Sequence, residues 1–225
     1  MFLPAILLVL GACAHAAAPI ERPVVVWADE AHTQPYFVEG AGIALLPPAA
    51  RDEIESALAI AKKRKDEFDA SARANGLNAS PCAPGIIGDS LGATSPADVV
   101  RNVPFAATGR VVAVVSGWNV PSHRVASLAY VRLEEVWKGS AASADDVIAV
   151  ELPFGTLQHR GASWCTEMTG SHRIAAGHAI LITGRFDPKR SPLPFAGSGW
   201  PIENDQVLPP HAAPLSLTVL RNSIN

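Results

Sequence analysis

Two runs decide the fold: Phe105-Ala106-Ala107-Thr108-Gly109-Arg110-Val111-Val112-Ala113-Val114-Val115 and Val125-Ala126-Ser127-Leu128-Ala129-Tyr130-Val131-Arg132-Leu133-Glu134-Glu135-Val136-Trp137. The first is rich in valine and carries Gly109 inside it, a mark of a bulge or bend in a strand. The second alternates, with Ala129, Val131 and Leu133 on one face. Lys138-Gly139-Ser140 then supplies a turn. Residues 147–152 alternate again through Ile148, Val150 and Leu152, and residues 179–183 (Ala-Ile-Leu-Ile-Thr) are apolar up to the closing threonine. Residues 205–208 offer a short fifth strand. A two-stranded sheet of such runs is marginal in water. The expectation is therefore closure into one small antiparallel barrel, with Val111 or Val112, Val131, Leu133, Ile148, Val150 and Leu181 inside and its edges satisfied.

Upstream, residues 49–74 predict a long amphipathic helix. Ile54, Leu58, Ala61, Phe68 and Ala72 recur at helical spacing, interrupted by Lys65. Asp52 and Glu53 suit its first turn, and Asn75-Gly76 stops it. The basic run Lys62 to Lys65 is matched by Asp66, Glu67 and Asp69 four residues on, the mark of a solvated helix face. Val24 to Trp27 and Gly40 to Leu46 read as strands. Residues 77–97 are rich in Gly, Pro, Ser and Ala and read as a loop. The chain ends in a short helix with Ser216 as N-cap and Leu217, Leu220 and Ile224 on its apolar face. The fold class is thus mainly β with α appendages (α+β). An OB-like barrel domain over 98–225 follows an N-terminal segment over 19–97.

The strand leading through Tyr130-Val131-Arg132-Leu133-Glu134-Glu135-Val136-Trp137-Lys138-Gly139, the alternating strand after it, Cys165, and Gly177-His178-Ala179-Ile180-Leu181-Ile182 together resemble a known pattern. It is that of the OB-fold barrels related to tissue-inhibitor-of-metalloproteinase and netrin-like domains of exported bacterial proteins. The resemblance covers residues 105–186 and implies a barrel used for interaction. True metalloproteinase inhibitors chelate zinc through a mature N-terminal cysteine, which the processing described next does not supply in free form.

The first 18 residues read as a signal peptide. Ala5 to Leu10 is an apolar run too short to span a bilayer. Ala14-His15-Ala16 and Ala16-Ala17-Ala18 both fit an A-x-A cleavage site. Leu10-Gly11-Ala12-Cys13 resembles a lipobox, so lipidation at Cys13 is the alternative. The localisation expected is periplasmic or secreted, or else an outer-membrane lipoprotein. No later stretch is long and apolar enough to span a membrane. Cys82 and Cys165 then remain, an even count that makes a disulfide between them the expectation in an oxidising compartment.

The chain has 225 residues, is 17% charged and carries a formal net charge of −3. That balance lacks the clustered basic surface that nucleic-acid binding needs. No G-x-S-x-G, P-loop or dinucleotide fingerprint occurs, so neither a catalytic residue nor a cofactor is expected. His159, Glu167 and His172, in one loop region with Cys165, are the best candidates for a metal site. Trp118, Trp164 and Trp200, read as lying in loops, are candidate ligand-binding aromatics. The leading expectation is an exported, non-catalytic interaction module of the bacterial envelope, with a protein, peptide or glycan partner. The alternative is an envelope hydrolase or metal-dependent enzyme using the 157–178 loop.

Overall fold

The computed structural model describes residues 23–78, 83–84, 96–167, 174–187, 193, 195–209 and 213–224. The signal segment 1–18, Cys13, Cys82, His172 and most of the 77–97 loop lie outside the described residues. In chain order the elements are β1 (Val25–Trp27), β2 (Pro35–Glu39), a 3-10 helix (Gly40–Leu45), α1 (Pro48–Ala74), β3 (Ala83–Pro84), α2 (Pro96–Asn102), β4 (Phe105–Asn119) and β5 (Arg124–Lys138). They continue with β6 (Val147–Leu152), β7 (Gly155–His159), β8 (Ala162–Glu167), β9 (Ala179–Phe186), β10 (Phe195–Glu203), β11 (Gln206–Val207), β12 (Leu215–Ser216) and α3 (Leu217–Asn222).

The Val-rich run forms the central strand. β4 pairs antiparallel with β5 along its whole length. Its first half pairs on the other side with β9, and its last residues pair with β2. β5 continues to β6, and β9 continues to β10, β11 and β12. β3, β8 and β7 make a separate small sheet. Five strands, β6-β5-β4-β9-β10, surround a core of Phe105, Val111, Val131, Leu133, Ile148, Val150, Ile180 and Ile182. Among the described residues no hydrogen-bonded ladder joins β6 to β10. The two strands share one core cluster instead, and they approach closely: a Cβ on Gly199 of β10 would lie 3.6 Å from the Val150 Cγ1 of β6.

The register between β4 and β5 shifts three times, once at Thr108/Gly109. Thr108 faces Glu135 and Gly109 faces Leu133, so Glu134 is the extra residue of a bulge. Strict alternation would send Glu134 and Glu135 to opposite faces. The bulge breaks it, and each finds an arginine, Arg110 for Glu134 and Arg221 for Glu135.

The N-terminal elements complete the fold. β2 lays Phe37 across Gly117 of β4, where a Cβ would come within 2.7 Å of the ring. α1 packs Ile54 and Leu58 against Ile43, Leu46, Trp118, Val125 and Leu157. α2 and α3 cover β9 and β10 through Val100 and Leu220, which meet Ala106, Leu181 and Trp200.

Four local expectations are corrected. Leu181 of β9 packs under α2 and α3, and its neighbours Ile180 and Ile182 enter the core in its place, because alternate residues of a strand face opposite sides. Residues 40–45 form a 3-10 helix rather than a strand, because Ile43 and Leu46, three apart, are both buried while Leu45 is exposed. The stripe of α1 is rotated: Phe68 is 53% exposed, and Asp69 is buried in its place, paired with Lys65. An ion pair one turn apart neutralises itself, so it can occupy the inner face. At α3, Ser216 holds the N-cap position but makes no side-chain cap. Leu217 N–H donates to the Asp205 carbonyl instead, at 2.9 Å.

Candidate ligand-binding face

The central sheet has one face toward its core and one outward. Different elements cover the outer face at its two ends. At one end Phe37, Tyr36 and Leu193 pack on Val115, Ala126 and Leu128. At the other end α2, α3, β11 and β12 cover Ala106, Leu181 and Trp200. Between them a strip of β4, β5 and β6 stays accessible.

Pairing fixes what that strip presents. Val147 of β6, Arg132 of β5, Arg110 of β4 and Ala179 of β9 stand in one row across four strands. The next row holds Ala149, Tyr130 and Ala113. Arg132, Tyr130 and Ala149 are half-buried, while Arg110 and Val147 are exposed. The chain has two tyrosines, and both border the same apolar cluster on this face. Tyr36 donates its hydroxyl to Glu151 Oε2 at 2.8 Å, and Arg124 Nη2 lies 3.5 Å from Glu151 Oε1. Arg124 Nε is buried with no hydrogen-bond partner among the described residues.

The charges are unevenly matched. Arg110 donates Nε to Glu134 Oε1 and Nη1 to the Gly177 carbonyl, each at 3.0 Å. The side chain of Arg132, directly opposite, makes no ion pair or hydrogen bond among the described residues. Three arginines against two glutamates leave the face with one net positive charge on a chain that is net negative.

The aromatic candidates read as loop residues lie in strands: Trp118 in β4, Trp164 in β8 and Trp200 in β10. Trp118 and Trp200 are core residues, 2% and 8% exposed. Trp164 is half-buried against α1 and donates its indole N–H to the Leu58 carbonyl. Strand placement explains this, since a strand position covered by other elements, on either face of a sheet, takes large apolar side chains.

The metal candidates are also separated. His159 ends β7 opposite Ala162, whereas Glu167 ends β8, five residues away. At about 3.3 Å per residue that is roughly 16 Å along the hairpin. His159, only 11% exposed, turns instead toward α1, with Nε2 at 3.7 Å from Glu55 Oε1. Arg160 grips the same carboxylate, donating Nη1 to Oε2 at 3.0 Å with Nη2 at 2.8 Å from Oε1. Arg160 and Gly161 both have positive φ, as the tight turn of this hairpin requires. Among the described residues no three His, Cys, Asp or Glu side chains gather as a metal set. No described helix is long and apolar enough to cross a membrane.

The described residues that follow the disulfide candidates pair with each other. β3 pairs parallel with β8, Ala83 beside Thr166, so the residue after Cys82 lies beside the residue after Cys165.

Sequence reasoning missed the Arg110–Arg132 row. A signal was present, since both are outward residues of the two deciding strands, but their register depends on bulges that no local pattern reveals. No family model, curated protein or solved structure matches the chain.

Proposed function

We propose that this protein is an exported, non-catalytic binding module of the bacterial cell envelope, built on an OB-like barrel that closes across the β6–β10 seam. The observation that carries the reading is the accessible Tyr130–Arg132 strip on the outer face of β5 and β6. An OB fold is a five-stranded, partly open Greek-key barrel that binds its ligand on the face of its second and third strands. In the set β4, β5, β6, β9, β10, those are β5 and β6. The shared core of β6 and β10 supports closure of the barrel. Two partly exposed tyrosines and two arginines fit a peptide or glycan partner, because such side chains give large contact area with little ordering cost and fix orientation through polar groups.

Two experiments test this. Residues 1–30 fused to alkaline phosphatase should give active enzyme outside the cytoplasm, and an inactive cytoplasmic fusion removes the envelope from the proposal. The mature chain should capture a defined component from envelope extract, and Tyr130→Ala should lose it. Equal capture by the variant excludes this face.

A further inference from the structure

We propose that Arg132, facing Arg110 across the β4–β5 pair, binds the carboxylate of an acidic peptide. The inference rests on the binding face proposed above and names its ligand chemistry.

Like charges directly opposite one another on a sheet are destabilising. Arg110 and Arg132 are such a pair. The fold relieves half of the repulsion. The bulge brings Glu134 to Arg110, and Gly177 adds its carbonyl. Arg132 receives neither. A planar guanidinium presents a fork of donors that matches a carboxylate with two parallel hydrogen bonds. Tyr130, next outward on β5, and Val147, beside Arg132 on β6, place apolar surface along its flanks. That surface partly excludes water and strengthens a charge-assisted bond.

Charge selects among anions. Arg110, Arg124 and Arg132 stand against Glu134 and Glu151, which leaves a single positive charge on the face. One carboxylate neutralises it. A phosphate group, at about −1.5 to −2 near neutral pH, overshoots and meets Glu134 close by. An extended acidic peptide also fits the long, flat strip beside its aromatic ring.

The test follows arginine Nε–Hε resonances of the isotopically labelled protein at constant ionic strength. An end-capped pentapeptide carrying one glutamate among glycines should shift the Arg132 resonance saturably, with inorganic phosphate about tenfold weaker. The exposed Arg185 serves as the reference, and Arg132→Gln should remove the saturable binding. An Arg132 resonance that stays still, or moves no more than that of Arg185, overturns the site. Tighter binding of phosphate overturns the carboxylate assignment. If Arg132 does not respond while Tyr130-dependent envelope capture persists, only this inference fails. A saturable Arg132 shift without any envelope capture supports the site and removes the broader function.

Discussion

Trp164 and Leu58 are joined by a hydrogen bond from the indole Nε1 to a main-chain carbonyl, at 3.2 Å. Leu58 lies in the middle of α1, so its carbonyl already serves the helix. The extra bond therefore reports how closely β8 presses on α1. Glu55, one turn earlier, is held by Arg160 and approached by His159. The β7–β8 hairpin thus grips the helix through one buried apolar patch and three polar contacts. Trp164→Phe should cost about 1 kcal/mol, the net worth of one hydrogen bond. Arg160→Ala should cost less, because Arg160 is 68% exposed and its pair is screened. Hydrogen exchange should quicken across α1 in both variants while the amides of Val131 and Leu133 remain protected. Uniform acceleration would mean that the helix and sheet unfold as one unit.

Val131 has no exposed surface and packs between β4 and β6. Val131→Asp buries a charge with no partner. That penalty is several kcal/mol against a total stability of about 5–15 kcal/mol. Circular dichroism should show no cooperative thermal transition. A folded variant would contradict the placement of this residue in the core.

Arg132→Glu separates stability from binding. It replaces a like-charge pair with an opposite pair facing Arg110. The melting temperature at low salt should rise, by the equivalent of up to about 1 kcal/mol. Added salt should shrink the gain, since exposed charges are screened. Peptide binding should vanish in the same variant. A lower melting temperature at low salt would show that the arginines do not repel in the folded state.

Asp29 organises the turn between β1 and β2. It accepts the backbone N–H of Thr33 at 2.8 Å and of Gln34 at 3.1 Å, together with the Thr33 hydroxyl. The Thr33 hydroxyl, then its backbone N–H, holds the Asp29 carboxyl below its ordinary value of 3.8. A carboxyl lowered by folding contributes stability above its unfolded value and loses it as pH falls through the lowered one. The Thr33 amide resonance should stay constant from neutral pH down to the ordinary carboxylate range and move only below it. Asp29→Asn should abolish the acid transition. A Thr33 shift that titrates near neutral pH would assign the turn to another group.

The β3–β8 register leads to a covalent expectation. Cys82 and Cys165 should form a disulfide, with Cα atoms about 4.4–6.8 Å apart. Denatured, unreduced mature protein should show no titratable thiol. Two free thiols would disprove the bridge. Cys82→Ser should loosen residues 77–97 more than β4 or β5.

The deciding strands were legible because their alternation is local. Val131, Leu133, Ile148 and Val150 are inward in the sheet as their spacing requires. Gly109 marked a bend, and a register shift occurs there. Other features depended on partners far along the chain. Trp118 looked like a loop residue because nothing near it shows that β4 runs on to Asn119 to meet Phe37. Phe68 looked buried because helical spacing cannot weigh it against a self-neutralising Lys65–Asp69 pair. His159 and Glu167 looked like neighbours because a turn at Arg160-Gly161 sends them to opposite ends of a hairpin. The candidate binding face was least legible, since cross-strand register creates the Arg110–Arg132 pair.

β4 takes neighbours from both directions along the chain: Phe37 of β2 meets Asn119, and Gly184 of β9 meets Phe105. During synthesis β2 emerges early and waits for β4. At ribosomal speeds that wait is on the order of ten seconds. β4 then waits again for β9. Partners so distant in sequence join slowly even in a finished chain. The nascent polypeptide can therefore form the β4–β5 hairpin early, but cannot complete its central sheet until β9 has emerged.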